Sequence, residues 1–265
     1  MDNLRAPSIL GLIAVIIAVA VAIVVLEQLM PSPRLTYIDE FRRLAVNGSI
    51  TATYRGALIE RDVYGRAYLC NITALYSIGS VNGDRVFITA SKSSCLPPEA
   101  SYASQTAYWL NGTEICTATY GLFGGRVLRG IKCSPVRTAS SILVFTPFRA
   151  LLGNLTITDP YINYSAIVHI HYVNVTMWNG QTSYCYQVIS NSSTIFSTTI
   201  QNNYAKIFIC LLSNGIPAVY VFNETTTIRF PYSKATLAVR GEMELINYTL
   251  TFNATAFREL LSKTR

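Results

Sequence analysis

The residues best suited to metal chemistry in this sequence are its two histidines, His169 and His171. Side chains alternate between the two faces of a β-strand, so residues two apart lie on one face and their imidazoles could share a metal ion. The sequence offers no third ligand close to them. We therefore interpret both histidines as ordinary strand residues and predict no metal site.

Two pairs of carboxylates could support acid–base chemistry, namely Glu60 with Asp62 and Glu242 with Glu244. A glycosidase needs two carboxylates placed across a cleft, but these pairs fall where turns and strand edges are expected, and we interpret them as surface charges. The chain contains no Gly-x-Ser-x-Gly, P-loop or Gly-x-Gly-x-x-Gly motif, which are the short signatures of hydrolases and nucleotide-binding enzymes. The sequence predicts no catalytic residues, no cofactor and no enzymatic activity.

Cysteine usage indicates a disulfide framework. An even set of cysteines in an exported domain is typical of disulfide pairing, and the sequence has no Cys-x-x-Cys of a zinc or thioredoxin site. Buried free thiols are the alternative. The cysteines are Cys70, Cys95, Cys116, Cys133, Cys185 and Cys210.

Glycosylation acceptors are unusually frequent. Ten of the 16 asparagines begin an Asn-x-Ser/Thr sequon, which is an N-glycan acceptor only on the exported side of a membrane. A Thr-rich β protein with accidental sequons is the alternative, but the density favours a glycan coat of the kind that covers archaeal cell envelopes. The sequons lie at Asn47, Asn71, Asn111, Asn154, Asn163, Asn174, Asn191, Asn223, Asn247 and Asn253.

The N-terminus predicts a membrane anchor. Residues 6–26 are 21 uncharged and mostly aliphatic residues, and a helix of that length spans about 30 Å, the hydrocarbon thickness of a bilayer. A cleavable signal peptide has a shorter apolar region followed by a small-residue cleavage site. We predict one transmembrane helix in the cell membrane, with the N-terminus inside and the C-terminal domain outside, where the sequons and cysteines require it to be.

Charge and composition limit the partners. Apolar residues make up 51% of the chain and charged residues 13%, with a net charge of +7. An exported domain without a dense basic cluster is not expected to bind nucleic acid. The expected partners are the lipid bilayer through residues 6–26, N-linked glycans, an apolar ligand and other envelope proteins.

The outer part of the chain predicts a mainly β fold of the α+β type. Residues 1–34 form the anchor and a short Pro-containing linker, and residues 35–265 form one β-rich domain. Period-two alternation predicts eight to eleven antiparallel strands, and four Asn-Gly pairs predict hairpin turns. Short helices are expected near Thr36–Val46, Pro147–Leu152 and Ala254–Lys263.

A faint repeat favours one disulfide pattern. The segments starting at Trp109 and Trp178 each run from an aromatic residue through an Asn-Gly turn to a cysteine, and the first and last cysteine pairs are both 25 residues apart. The simplest scheme is sequential: Cys70–Cys95, Cys116–Cys133 and Cys185–Cys210. Recurrence of ordinary hairpins would explain the repeat equally well.

The order of elements resembles the lipoprotein-carrier (LolA-like) superfamily. A helix precedes a long meander with a helical interruption, followed by the turn Gly215-Ile216-Pro217 and a last strand that leads to Phe257. The resemblance covers Leu35 to about Phe257 and implies a curved half-barrel closed by helices over an apolar cavity for acyl chains. Familiar members are soluble or lipid-anchored, whereas this chain has six cysteines and a predicted protein anchor.

The resemblance leaves the filling of the half-barrel open. If Thr36–Val46 and Pro147–Leu152 cap the sheet without filling it, a pocket of several hundred Å³ lined by Tyr, Leu, Val and Ile is expected beneath them. The alternative is that side chains pack this space solid.

Three functions follow from these features. The first is a membrane-anchored extracellular binding module that holds a lipid or other apolar ligand. The second is a structural surface or pilin-like filament subunit, since Arg5-Ala6 before the apolar run resembles a pilin processing context. The third is an accessory subunit of a membrane complex. N-terminal sequencing of the native protein would separate the first two.

Overall fold

A computed structural model describes residues 33–123, 125–159, 162–196 and 199–264. The predicted transmembrane helix, residues 6–26, and the Arg5-Ala6 context lie outside the described residues. Within the described part, neither α-helix is long and apolar enough to cross a membrane.

The core of the fold is a curved, twelve-stranded antiparallel sheet. Its strand order is β6-β5-β4-β3-β2-β1-β12-β11-β10-β9-β8-β7, so the chain builds the sheet outward in two meanders that meet where β1 pairs with β12. The strands are β1 (Ile50–Arg61), β2 (Ala67–Val81), β3 (Asp84–Leu96), β4 (Tyr102–Asn111), β5 (Glu114–Phe123), β6 (Arg126–Pro135), β7 (Leu155–Thr158), β8 (Asn163–Trp178), β9 (Gln181–Phe196), β10 (Thr199–Leu212), β11 (Pro217–Phe230) and β12 (Ser233–Thr249). This confirms a mainly β protein with few helices and adds one strand to the expected maximum.

Tight turns set the register of the long hairpins. Asn82-Gly83 and Asn179-Gly180 form two-residue connections in which all four residues have positive φ, the conformation that two-residue hairpins favour. Gly215 also has a positive φ of 81°. A Cβ at Gly215 would lie 2.4 Å from the main-chain nitrogen of Phe41, so the β10–β11 turn needs glycine to pack against the first helix.

Helices cover both faces of the sheet. Helix α1 (Pro33–Asn47) and the crossover, the connection 136–154 between β6 and β7, lie on what we call the inner face. The crossover contains the 3-10 helices Ala139–Phe145 and Arg149–Leu152, and a further 3-10 turn spans Pro98–Ala100. Helix α2 (Ala254–Thr264) packs on the opposite, outer face.

Four apolar clusters hold these layers together, one of which packs Val144 of the crossover against Ile157 of β7 and Tyr164 of β8. Ile38 and Phe41 of α1 pack with Leu151 of the crossover against Tyr186 and Ile209 of the inner face. Ile142 of the crossover belongs to a second inner cluster around Tyr54. On the outer face, Phe257 and Leu260 of α2 cover Val86, Ile88, Ala107 and Ala118. Removing these apolar surfaces from water is the main force that fixes the helices on the sheet.

The three predicted disulfides are present, in the sequential pairing. Cys70–Cys95, Cys116–Cys133 and Cys185–Cys210 have Cα–Cα distances of 3.9, 4.0 and 3.9 Å. Each pair joins residues directly opposite one another on neighbouring strands. No cysteine of the described residues is free.

Asp159 links the two ends of the sheet. It follows edge strand β7, and its carboxylate accepts hydrogen bonds from the main-chain N–H of Arg137 and the hydroxyl of Ser141, just beyond edge strand β6. Thr138 Oγ1 donates a third bond at 3.4 Å. The start of the crossover is therefore bound to the β7–β8 connection.

Candidate functional site

A cavity of about 300 Å³ lies between the crossover and the inner face. The crossover contributes residues from Val144 to Ala150, and the sheet contributes residues of β3, β4, β9, β10 and β11. These two groups of strands are separated in the sheet by β2, β1 and β12. Both reach one cavity because the sheet is curved and the crossover spans its inner face.

Phe148 forms the boundary of this cavity. Its backbone is left-handed, with φ of 57°, which is strained for a residue with a bulky side chain. The ring centroid lies 4.9 Å from that of Tyr220, 5.2 Å from Tyr76 and 5.6 Å from Tyr54. These aromatic contacts hold the strained residue in place and separate the cavity from the space beneath α1.

The space beneath α1 is packed. Only about 20 Å³ remains between Phe41 and Leu44 of α1, Phe148 of the crossover, and the sheet residues Tyr54 and Ile78. Of the two alternatives for the half-barrel, solid packing therefore applies under α1, and a cavity exists under the crossover.

The cavity lining is more polar than expected. Thr89, Tyr108, Ser190, Ser192, Asn203 and Glu224 line it from the sheet, whereas the resemblance implied Tyr, Leu, Val and Ile. The strand register explains the difference: even-numbered residues of β9 and β11 face inward, and those that reach the cavity include the polar Ser190, Ser192 and Glu224.

One hydroxyl next to the cavity has no partner among the described residues. Thr146 is 3% exposed, and its Oγ1 makes no hydrogen bond to any of them. A buried polar group without a partner costs about 1–3 kcal/mol. This oxygen has almost no accessible surface, so a molecule in the cavity does not reach it.

Glu224 and the tyrosines form the electrostatic part of the site. Tyr220 donates from its hydroxyl to Glu224 Oε1 at 3.1 Å. Burial, and then the negative charge of Glu224, raise the pKa of Tyr220 well above its usual value. Burial also raises the pKa of Tyr76 to about 12 and the pKa of Tyr108, which Arg149 partly offsets. All three phenols are therefore neutral donors at physiological pH.

A second carboxylate, Glu60, lies at the end of β1 on the inner face. Burial raises its pKa, and a hydrogen bond with Tyr102 partly opposes that shift. Burial, followed by the charge of Glu60, raises the pKa of Tyr102 to about 12. Glu60 and Asp62 therefore lie in different surroundings, because β1 ends at Arg61 and Asp62 belongs to the turn that follows it.

Asp62 organises the β1–β2 turn. Its carboxylate accepts hydrogen bonds from the main-chain N–H groups of Tyr64 and Arg66, from Arg66 Nε and from the Tyr68 hydroxyl, at 2.8–2.9 Å. Burial among these groups raises the pKa of Asp62, but the hydrogen bonds outweigh it and lower the pKa to about 2. Its role is structural, as the turn interpretation predicts.

The other candidate residues lie on the outer face. His169 and His171 are exposed on β8. Glu242 and Glu244 are exposed on β12, and Glu244 accepts a hydrogen bond from Trp178 Nε1 at 3.1 Å. Among the described residues, metal-ligating side chains cluster at Glu114, Cys116 and Cys133, where the two sulfurs are bonded to each other.

Nine of the ten sequon asparagines are exposed, and the half-buried exception is Asn253. Asn111 lies at the exposed end of β4. Six further sequon asparagines in strands all face outward: Asn71, Asn163, Asn174, Asn191, Asn223 and Asn247. The Ser or Thr of each sequon shares that face because side chains two apart do so.

Sequence reasoning missed Thr146, Arg149, Asn203 and Glu224. One signal could have identified Glu224. It stands between Asn223 and Thr225 of a sequon, and if those two residues face outward, alternation turns Glu224 inward.

No protein-family model matches this chain, and no curated protein matches it. A beta-barrel-like protein of the domain of unknown function DUF1849 from Brucella abortus superposes with a TM-score of 0.41 at 10% identity, covering 77% of this chain and 98% of that chain. A DUF1329 family protein from Desulfovibrio piger has a TM-score of 0.30 at 9% identity, with 83% and 93% covered. The beta domain of the Bordetella autotransporter BrkA has a TM-score of 0.23 at 6% identity, with 74% and 98% covered. Likenesses of this extent carry no conclusion about function.

Proposed function

We propose that this protein is a membrane-anchored, N-glycosylated extracellular binding module that holds a small ligand in the cavity beneath the crossover. The observation that carries the proposal is the cavity of about 300 Å³ with the inward-facing polar residues Ser190, Ser192 and Asn203 in its wall. Its size falls at the lower end of the range of small-molecule sites. In this proposal the domain is a half-barrel of the lipoprotein-carrier type, and its role is binding rather than catalysis.

The extracellular location is supported by two features. Three disulfides suit an oxidising compartment, and nine exposed sequon asparagines leave room for glycans. With residues 6–26 as the anchor, the chain crosses the cell membrane once, with its N-terminus inside and the β domain outside.

A cavity-filling variant tests the proposal. Ala205 is 5% exposed and lines the cavity, so Ala205→Phe would occupy the ligand volume. Ala238 on β12 faces outward, and Ala238→Phe is the matched control. Full-length protein in lipid nanodiscs would be screened by thermal shift against fatty acids, isoprenoids and neutral sugars.

We expect at least one ligand class to raise the melting temperature of the parent and of Ala238→Phe but not of Ala205→Phe. Bound ligand stabilises only the folded state, so the shift reports occupancy directly. If every class leaves the parent unchanged, or shifts Ala205→Phe equally, the protein does not use this cavity for binding.

A further inference from the structure

We infer that the ligand of the cavity is an uncharged, hydroxyl-rich molecule of the carbohydrate class, an inference that rests on the proposed binding function. The lining groups carry the argument. Ser190, Ser192 and Thr89 offer hydroxyls, which both donate and accept, and Asn203 adds the N–H donors of its amide, whose Oδ1 already accepts from Thr226 Oγ1 at 3.2 Å. Sugar hydroxyls both donate and accept, whereas an acyl chain would offer no partner to the three hydroxyls or to the Asn203 N–H groups.

The charges of the lining balance each other. Among the described residues around the cavity, Glu224 carries one negative charge and Arg149 one positive charge. The guanidinium of Arg149 has two protein partners. Its carbon lies 5.7 Å from the ring centroid of Tyr164, and its Nη1 donates a hydrogen bond to the carbonyl oxygen of Val144 at 3.4 Å. Neither sign dominates, so the site does not select an anionic headgroup or a cationic amine.

Aromatic residues supply apolar walls between the polar groups. Tyr108 is stacked on Phe145 with 4.3 Å between ring centroids, and Tyr220 is stacked on Phe222 at 4.8 Å. Tyrosine combines an apolar body with a polar hydroxyl. A pyranose ring has the complementary pattern of C–H faces and a hydroxyl rim.

The shape also disfavours a lipid tail. Phe148 closes the cavity on the side of α1, and beyond it only about 20 Å³ is free. An extended acyl chain would have to displace the aromatic cluster around Phe148. A compact ring needs no such change.

The serine hydroxyls of β9 allow a direct test of a polar ligand. Ser190 lines the cavity and is 7% exposed. Ser190→Ala removes only this hydroxyl. Because the ligand loses one hydrogen bond, we expect the dissociation constant for its sugar to rise about tenfold, while the free protein folds as well as before.

Calorimetry on the full chain in lipid nanodiscs tests this inference. The probes are the methyl glycosides of glucose, mannose, galactose and N-acetylglucosamine, with dodecanoate as the apolar comparator. Ser94→Ala, on an exposed outward-facing serine of β3, is the matched control. We expect one or more glycosides to bind the parent and the control, and to bind Ser190→Ala about tenfold more weakly.

Each other outcome is decisive. If dodecanoate binds and no glycoside does, the carbohydrate inference is wrong and the binding function stands. If neither class binds, both are wrong. If a glycoside binds Ser190→Ala as tightly as it binds the parent, the sugar lies outside this cavity and the inference fails.

Discussion

Arg85 of β3 donates hydrogen bonds from Nε and Nη2 to the main-chain carbonyl oxygen of Ala45 in α1, at 3.0 and 2.8 Å. Its other bonds go to the carbonyl oxygens of Leu44 and Gly48. The last carbonyls of a helix lack partners within the helix and carry partial negative charge. Burial lowers the pKa of Arg85 to about 10, so it remains a cation at neutral pH and caps α1 from the sheet.

We expect Arg85→Met to lower the free energy of unfolding by about 2–3 kcal/mol, because several buried carbonyls lose their donor. Arg85→Lys should recover only part of this loss, since an ammonium group cannot reproduce the forked donors. Urea denaturation followed by circular dichroism measures both. Arg55→Met, at an exposed position on β1, serves as the control, and equal losses for Arg55 and Arg85 would contradict the capping role.

Asp159 should make the free energy of unfolding depend on pH. Burial raises the pKa of this carboxyl, but hydrogen bonds from Ser141, Arg137 and Thr138 outweigh it and hold the pKa below the usual value. A carboxyl whose pKa is lowered by folding stabilises the protein at pH values above its unfolded pKa of about 3.9. That contribution disappears as the pH falls through the pKa of the folded state.

We therefore expect Asp159→Asn to destabilise the protein by about 1–2 kcal/mol at pH 7 and by progressively less below about pH 4. Unfolding measured between pH 2.5 and pH 7 gives the two curves. Glu99→Gln, at an exposed carboxylate in the Pro98–Ala100 turn, should run parallel to the parent. A loss at Asp159→Asn that does not change with pH would rule out the charged carboxylate as its source.

Two buried tyrosines, Tyr54 and Tyr186, allow a comparison of how much a hydrogen bond to a buried hydroxyl contributes to the free energy of unfolding. Both are fully buried, and Tyr54 donates to the Pro217 carbonyl oxygen at 3.0 Å. The Tyr186 hydroxyl makes no hydrogen bond to any described residue. Tyr54→Phe should cost about 1–2 kcal/mol, and Tyr186→Phe should cost nothing or stabilise by up to about 1 kcal/mol. Chemical denaturation of both variants checks this, and a comparable loss in each would show that Tyr186 has a partner, such as an ordered water.

Glycan occupancy should differ between sites. We expect peptide mass mapping of protein from a glycosylating host to find glycan at the nine exposed sequons and none at Asn253. Asn253 is half-buried, and its Oδ1 accepts a hydrogen bond from the main-chain N–H of Ala256 at 2.9 Å, which caps α2. Asn253→Ala should cost about 1 kcal/mol at this cap and leave the glycan mass unchanged. Full occupancy at Asn253, or bare asparagines elsewhere, would contradict the expectation.

Local signals made much of the fold predictable. The Asn-Gly turns and period-two alternation define hairpins over a few residues, and the cysteine spacing then follows from which strands are neighbours. Strand β6 gave no such signal because Val127, Leu128 and Ile131 are exposed on both of its faces. The cavity could not be predicted from local sequence patterns, because Thr146 of the crossover and Glu224 of β11 line the same space only in the folded protein, where the sheet is curved and the crossover spans its inner face.

The cross-strand disulfides have a consequence for how this sheet can fail. Each one joins opposite residues, so a slip of the two strands by one position, which would exchange their faces, cannot occur without breaking a covalent bond. Cys133 places one of these bonds in β6, one of the two edge strands of the sheet that the described residues form. An edge strand is where peeling and templated association with other chains begin. In this protein, one of the two edge strands is covalently bonded to its neighbour by Cys116–Cys133.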